Sequence, residues 1–468
     1  MKNSEQTILD QSNAPPNGAA GEAVRGAAAL ISHPADGLSG EAVVPGDKSI
    51  SHRALIFGAL AVGETRVEGL LEGDDVMATA GALREYGVEL ERQSPGTWRV
   101  WGVGVGGFDE PARPLDMGNA GTAVRLLMGA AAGHAFTSFF CGDDSLLARP
   151  MRRVAEPLTR MGARITARSA CRLPLALTGA GDLLPISYTL PVASAQVKSA
   201  ILLAGLAAPG ETSIVEPAPS RDHSERMLRH FGAEVRLEDA ASGGRRITLV
   251  GQPELCARDL SVPADISSAA FPLAAALIVP GSRLLLKNVG INPLRGGLLD
   301  CVREMGGAIE LLDRGELSGE PVADIAVSAS PLRGIDVPAA RAPSMIDEYP
   351  VLAILAACAE GSSRLRGLGE LRHKESDRFA ALEAGLTACG VQVAAENDDL
   401  LITGSGGRAP GGGFIESRLD HRIAMAFLVL GMASRKAITI DDGAPITTSF
   451  PGFADLMNGL GGQIHAVS

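Results

Sequence analysis

Residues 44–61 read VPGDKSISHRALIFGALA. A small polar and charged cluster, Gly46-Asp47-Lys48-Ser49, runs straight into a segment that is apolar on almost every side. A helix of that composition must be buried all round, while its first turn presents unpaired N–H groups and a partial positive charge. Five later stretches repeat the arrangement. Gly118-Asn119-Ala120-Gly121-Thr122 precedes AVRLLMGAAAG, Ser194-Ala195-Gln196 precedes AILLAGLAAPG, and Asp265-Ile266-Ser267-Ser268 precedes AAFPLAAALIVPG. Met345-Ile346-Asp347-Glu348 precedes YPVLAILAACAEG, and Asp420-His421-Arg422 precedes IAMAFLVLGMAS. The clusters recur at roughly 70 to 80 residues, longer than a solenoid repeat, so each marks a subdomain.

Several such helix starts gathered at one place would form an anion site. Asp, Asn, Ser and Thr are also the usual N-cap residues, so capping alone is the competing account of the clusters. Lys48, Arg53 and Arg422 weigh against that account, because cations near a helix N-terminus oppose its dipole and call for a compensating anion. The chain has only six lysines, and Lys48, Lys198 and Lys374 all lie in or beside these motifs. A compact ammonium suits proton transfer where a guanidinium does not. A surface position is equally open for Lys198.

The remaining composition narrows the class. A chain of 468 residues corresponds to roughly three ordinary domains, but six repeats group more naturally as two sets of three. A net charge of -12 with 4% aromatic residues excludes a basic, stacking nucleic-acid surface, and no apolar run reaches the length of a membrane span. Cys141, Cys171, Cys256, Cys301, Cys358 and Cys389 are scattered without metal-ligand spacing, which predicts a reducing, cytoplasmic setting and no metal. The N-terminal stretch NSEQTILDQSNAPPNGAAGE lacks the basic and apolar regions of an export signal, and residues 1–37 are expected to be a disordered tail. Between the buried helices, TRVEGLL, TWRVWGV, RITLVG, SRLLLKNVG, DIAVSA and AITIDDG predict strands, and amphipathic segments such as PMRRVAEPLTRMGARI predict half-exposed helices.

The motif around Lys48, Ser49 and Arg53 resembles the enolpyruvyl transferase family, and within it the 5-enolpyruvylshikimate-3-phosphate synthases of the bacterial class II form. GNAGTAVR, GDDSLLARPMRRV, SAQVKSA, PSRDHSERM, MIDEYPVLA, LRHKESDRF and LDHRIAMAF follow in the family's order, from about Gly37 to the C-terminus. The resemblance implies an α/β fold of two inside-out barrel domains, each built of three βαβαββ-type units with buried helices. One domain would span 47–264, the other 38–46 plus 265–468, with the active site in the cleft between them. The implied reaction moves the enolpyruvyl group of phosphoenolpyruvate to the 5-hydroxyl of shikimate 3-phosphate and releases phosphate. No cofactor is implied, the partners are the two small-molecule substrates, and the chain is expected to act as a monomer.

The resemblance also implies site residues. Lys48, Ser49, Arg53, Ser194, Gln196, Arg221, Asp347 and Lys374 would hold shikimate 3-phosphate. Lys48, Asn119, Gly121, Arg149, Gln196, Lys374, Arg378 and Arg422 would hold phosphoenolpyruvate. Lys48, Asp347 and Glu375 would carry the proton transfers. In LRHKESDRF, Lys374 and Arg378 stand four apart and would repel each other on one helix face unless an anion lies between them. The loop ITTSFPGF has Thr448 where many family members carry a phosphate-contacting lysine. Glyphosate-insensitive class II members have alanine where this chain has Gly121, so inhibition by glyphosate is expected. A nucleotide-sugar enolpyruvyl transferase, which typically has Lys-Asn in place of Lys48-Ser49, and a non-catalytic anion binder are the alternative readings.

Overall fold

In the computed structural model, which describes residues 29–240 and 243–467, each polar cluster opens a buried helix. The six are Lys48–Leu60, Gly121–Ala131, Ala195–Gly205, Ile266–Ile278, Tyr349–Cys358 and His421–Met432. Every residue of the last three is buried, as a helix without a polar face requires. Helices with a one-sided apolar stripe, such as Asp74–Glu85, Arg152–Met161 and Gly297–Glu304, lie half-exposed outside them.

Six four-stranded sheets of one topology wrap these helices. In the first, Leu260–Ser261 runs parallel to Val62–Glu68, which pairs antiparallel with Thr97–Val103, which in turn pairs antiparallel with Glu89–Ser94. The other five repeat that order, with one parallel edge pair and two antiparallel pairs. Helices inside and sheets outside make the inside-out α/β arrangement, used twice. The buried side chains form two separate cores: one from Ile50 to Val262, the other from Ala264 onward together with Ala35, Leu38, Ala42 and Val44.

The chain crosses between the two cores on a pair of adjacent backbones. Asp47 N donates to Pro263 O at 2.8 Å, and Asp265 N donates to Pro45 O at 2.9 Å. Each crossing leads directly into a buried helix capped by its own aspartate, Asp47 or Asp265. The first turns of both halves therefore face the same cleft.

The expected tail is too long. Residues 1–28 lie outside the described residues, but Leu30–Ser32 forms a strand between Ile438–Ile440 and Ile464–Ala466 at the centre of the sixth sheet. Ser39–Ala42 likewise supplies the edge strand of the fourth sheet. The last half lacks two strands of its own, and the segment before Asp47 provides them. Leu30–Ser32 is too short to carry an alternation that sequence alone could read.

Candidate active site

The helix starts line a cleft of about 590 Å³ between the two halves. Four of the six clusters do what capping requires. Asp47 accepts from Ile50 N, Ser194 from Val197 N, Asp265 from Ser267 N, and Asp420 from Arg422 N. The helices Gly121–Ala131 and Tyr349–Cys358 have no side-chain cap. In those two clusters the polar residues Asn119 and Asp347 line the cleft instead. Capping thus accounts for four clusters and leaves these two for another task.

The wall from the first half carries two arginines with no carboxylate partner among the described residues. Arg149 Nη2 donates to Asn119 Oδ1 at 2.5 Å and to Ser145 Oγ at 3.0 Å, while Asn119 Nδ2 donates to Asp143 Oδ2 at 2.8 Å. Arg125 Nη1 donates to Gln196 Oε1 at 2.9 Å and to Gly121 O at 3.0 Å, and Gln196 Nε2 donates to Thr122 Oγ1 at 2.8 Å. Burial, then the neighbouring Arg149 and Arg153, push Arg125 down to about 10. These cations are oriented by neutral groups and their charge is left over for a ligand. Gly121 sits between them: a Cβ there would lie 3.0 Å from Arg149 Nη1 and 3.1 Å from Arg125 Nη1. Arg125 went unrecognised in the sequence, although a lone guanidinium in the otherwise apolar run AVRLLMGAAAG was its signal.

The facing wall is built from paired charges. Asp347 Oδ2 accepts from Arg221 Nη2 at 2.7 Å, and its Oδ1 lies 3.5 Å from Lys374 Nζ and 3.4 Å from Arg378 Nη1. Arg378 also donates to Asp420 Oδ2 at 2.8 Å and to Glu375 Oε2 at 2.6 Å. Burial alone would raise the Asp347 carboxyl, but Lys374, Arg221, Arg422 and Arg378 overcome it and hold it well below the ordinary range. For Glu375 burial is likewise overcome, chiefly by Arg378, with Arg149 and Lys48 adding to it. Both are ionised at neutral pH.

The spacing in LRHKESDRF predicts one helix face for Lys374 and Arg378, and the structure differs. Lys374 and Arg378 do not share a helix face, since Lys374 ends a short 3-10 turn, Gly369–His373, and Arg378 begins the next helix, Arg378–Ala388. The anion between them is the Asp347 carboxylate, from a different unit of the chain.

Lys48, Ser49, Asn119, Gly121, Arg149, Ser194, Gln196, Arg221, Asp347, Lys374, Glu375 and Arg422 all line the cleft. Arg53 and Arg378 do not. Arg53 is buried behind Ser49, with Nη1 on Ser49 O at 2.9 Å, Nε on Ser224 Oγ at 2.8 Å and Nη2 on Ser199 Oγ at 2.8 Å. Arg378 is wholly buried among its three carboxylates. Their long side chains end in the protein, so in this structure each supports the wall rather than forming it. Thr448 also stays off the lining and lies 3.4 Å from His421 Nδ1. Lys198 is not at the surface: it is fully buried between Glu216 and Glu225.

Further lining groups, outside the expected site residues, include Asp75, Arg295 and His421. Asp75 pairs with Lys48. Arg295 ties Asp47 to Ser267 and Asp265 across the chain crossing. His421, which burial and Arg422 hold well below its ordinary value, is neutral. In total eight lysine and arginine side chains line the cleft against five carboxylates, an excess of positive charge on a chain of net charge -12. Local charge therefore selects anions that the protein as a whole would repel.

Residues 33–457 match the family model described as EPSP synthase (3-phosphoshikimate 1-carboxyvinyltransferase). A 3-phosphoshikimate 1-carboxyvinyltransferase of Paramagnetospirillum magneticum is 60% identical over 435 residues, covering 93% of this chain and 98% of that relative. One from Parvibaculum lavamentivorans is 58% identical over 435 residues, covering 93% and 96%. Among solved structures, an EPSP synthase from Acinetobacter baumannii superposes with a TM-score of 0.85 at 44% identity, covering 94% of this chain and all of that one. The enolpyruvyl transferase NikO from Streptomyces tendae, at 18% identity and a TM-score of 0.74, shares the fold.

Proposed function

The chain belongs to the EPSP synthase family, and from that premise we propose how its cleft performs the transfer of an enolpyruvyl group from phosphoenolpyruvate to the 5-hydroxyl of shikimate 3-phosphate. The observation that carries the reading is the opposition of two walls. Arg125 and Arg149 hold positive charge with no carboxylate partner, and across from them Asp347 and Glu375 are ionised acids in a cationic frame. A site that only bound polyanions would gain nothing from those acids.

In the first step the 5-oxygen bonds to C2 of phosphoenolpyruvate, its proton passes to a base, and C3 gains a proton to become a methyl. In the second step the C2–O bond to phosphate breaks while C3 returns one proton. Asp347 takes the hydroxyl proton. Its low pKa makes it a weak base in the empty cleft, but a bound dianionic phosphate would draw charge from Arg221 and Lys374 and raise it. Lys48 and Glu375 serve the methylene carbon and the departing phosphate. Ser49, Ser194, Gln196, Arg221 and Lys374 hold the sugar phosphate, with Arg53 fixing Ser49 from behind. Asn119, Arg149, Gln196, Lys374 and Arg422 hold phosphoenolpyruvate, with the backbone at Gly121 admitting it closely and Arg378 fixing Asp347 and Glu375. Arg125 joins this set. Guanidinium forks match carboxylate and phosphate geometry, and their worth is greatest where the transition state gathers charge.

One chain supplies both walls, so a monomer carries a complete site. A first domain of 47–264 and a second of 265–468 completed by the strands before Asp47, from Leu30 rather than from residue 38, can approach each other about the paired crossings at Asp47 and Asp265. Six unpaired cysteines fit a reducing cytoplasm, and no helix among the described residues is long and apolar enough to cross a membrane. The test is phosphate release by the purified chain, with product mass, when both substrates are present. Wild type must release phosphate only with the pair. Asp347→Asn and Glu375→Gln should each lower kcat by about a hundredfold with smaller changes in KM. Release from either substrate alone, or full turnover in either variant, overturns the assignment.

A further inference from the structure

Lys198 has no place in the reaction, yet it is a fully buried ammonium one helical turn from the cleft. Its Nζ lies 2.7 Å from Glu225 Oε1 and 3.2 Å from Glu216 Oε2, and it donates to Ser220 O at 3.2 Å. Both glutamates are buried as well. A buried ion cluster of this kind rarely stabilises a fold more than apolar side chains of the same volume would. Its conformational effect is the better guide to its use.

The bonds of this cluster run to three segments. Lys198 is on the buried helix Ala195–Gly205, whose start carries Ser194 and Gln196. Glu216 ends the strand Glu211–Glu216 and accepts from Ser220 twice, from N at 3.2 Å and from Oγ at 2.7 Å. Ser220 is followed by Arg221, whose guanidinium reaches Asp347. Glu225 lies in the helix His223–His230 beside Ser224. Ser224 and Ser199 together hold Arg53, which holds Ser49. Ser49, Ser194 and Arg221, assigned to the sugar phosphate, and Gln196, assigned to both substrates, thus hang from one ammonium, whereas Asn119 and Arg149 have their own support from Asp143 and Ser145.

We propose that Lys198 is a positioning residue for the sugar-phosphate wall, setting the loop 217–222 and the start of helix Ala195–Gly205 in register with each other. The inference rests on the functional reading above. It weights the two substrates unequally: loss of Lys198 loosens Ser49, Ser194 and Arg221, which hold shikimate 3-phosphate alone, and reaches phosphoenolpyruvate only through Gln196, which serves both and holds Arg125.

Lys198→Met alone strands two buried carboxylates and will unfold more easily, so the decisive variant neutralises all three, Lys198→Met with Glu216→Gln and Glu225→Gln. Its expected behaviour is a melting temperature close to wild type, a KM for shikimate 3-phosphate raised tenfold or more, and a KM for phosphoenolpyruvate raised only severalfold. Ser220→Ala removes the shorter of the loop's two bonds to Glu216, that of the hydroxyl, without touching a charge and should raise the same KM severalfold, which keeps the test open if the triple variant does not fold. Unchanged KM values in Ser220→Ala or in a folded triple variant, or equal rises for both substrates, overturn the proposal. A wild type that turns over neither substrate overturns the functional reading itself, a result separable from either of these.

Discussion

Arg149, half-buried on the lining of the cleft, and Arg378, wholly buried behind it, are held in opposite ways. Arg149 is held by the neutral oxygens of Asn119 and Ser145. Arg378 is held by Asp347, Glu375 and Asp420. The first keeps its charge for a ligand; the second spends its charge inside the protein. A half-buried cation without a counter-ion carries a desolvation cost that an arriving anion offsets. A buried cation among three carboxylates fixes those carboxylates, two of which face the reacting atoms. The first guanidinium is therefore placed to bind and the second to hold acids in place.

That contrast is broken most directly by removing each guanidinium in turn. Arg378→Gln leaves three buried carboxylates with too little positive charge and should lower stability by about 3–5 kcal/mol, read as a fall in the urea midpoint, with activity lost as well. If Arg378→Gln unfolds at the wild-type midpoint, the pairing is ornamental. Arg149→Gln should lower kcat/KM by about a hundredfold or more while stability holds or rises, because the lost charge was uncompensated. A large drop in stability there would mean that Arg149 has a carboxylate partner in solution.

Acid sharpens the comparison next. His52, on the first buried helix, is depressed to about 3, with burial the largest cause. Unfolded, it would titrate near 6.5, so between those values the unfolded chain binds a proton that the folded chain refuses. Its contribution is complete above pH 6.5 and is lost as pH falls toward 3, at about 1.4 kcal/mol per pH unit. His421 in the other half adds to the loss in the same direction. His52→Gln should flatten the fall of unfolding free energy between pH 6.5 and 4; an unaltered slope would show that His52 accepts a proton in the folded state.

The smallest effect is expected at Gly121. An added methyl must displace Arg149 or Arg125 by a few tenths of an ångström, which flexible guanidinium ends allow. Gly121→Ala should raise KM for phosphoenolpyruvate a fewfold and weaken glyphosate, the longer molecule, by a larger factor. Equal factors for the two would rule out steric control at this position.

Much of this was legible in order along the chain. A segment such as AAFPLAAALIVPG can be stable only with water excluded from every side, so six buried helices and a six-unit architecture follow from composition and spacing. The anionic character of the ligand follows too, because Lys48 and Arg422 stand at helix starts where cations are otherwise unfavourable. The resemblance of the motifs supplied the reaction. What local pattern could not supply was the pairing of charges. Asp347 meets Arg221 across 126 positions and Arg125 meets Gln196 across 71. Lys198 looked as fit for the surface as for the interior until Glu216 and Glu225 closed on it. The strand Leu30–Ser32 belongs to a sheet whose other members follow residue 413. Hydrophobic burial is decided by each segment's own composition, and so the sequence by itself determined the helices, the repeats and the class of ligand. Charge compensation and strand pairing depend on which distant segments meet, and only the tertiary structure decided which cations remain free to bind.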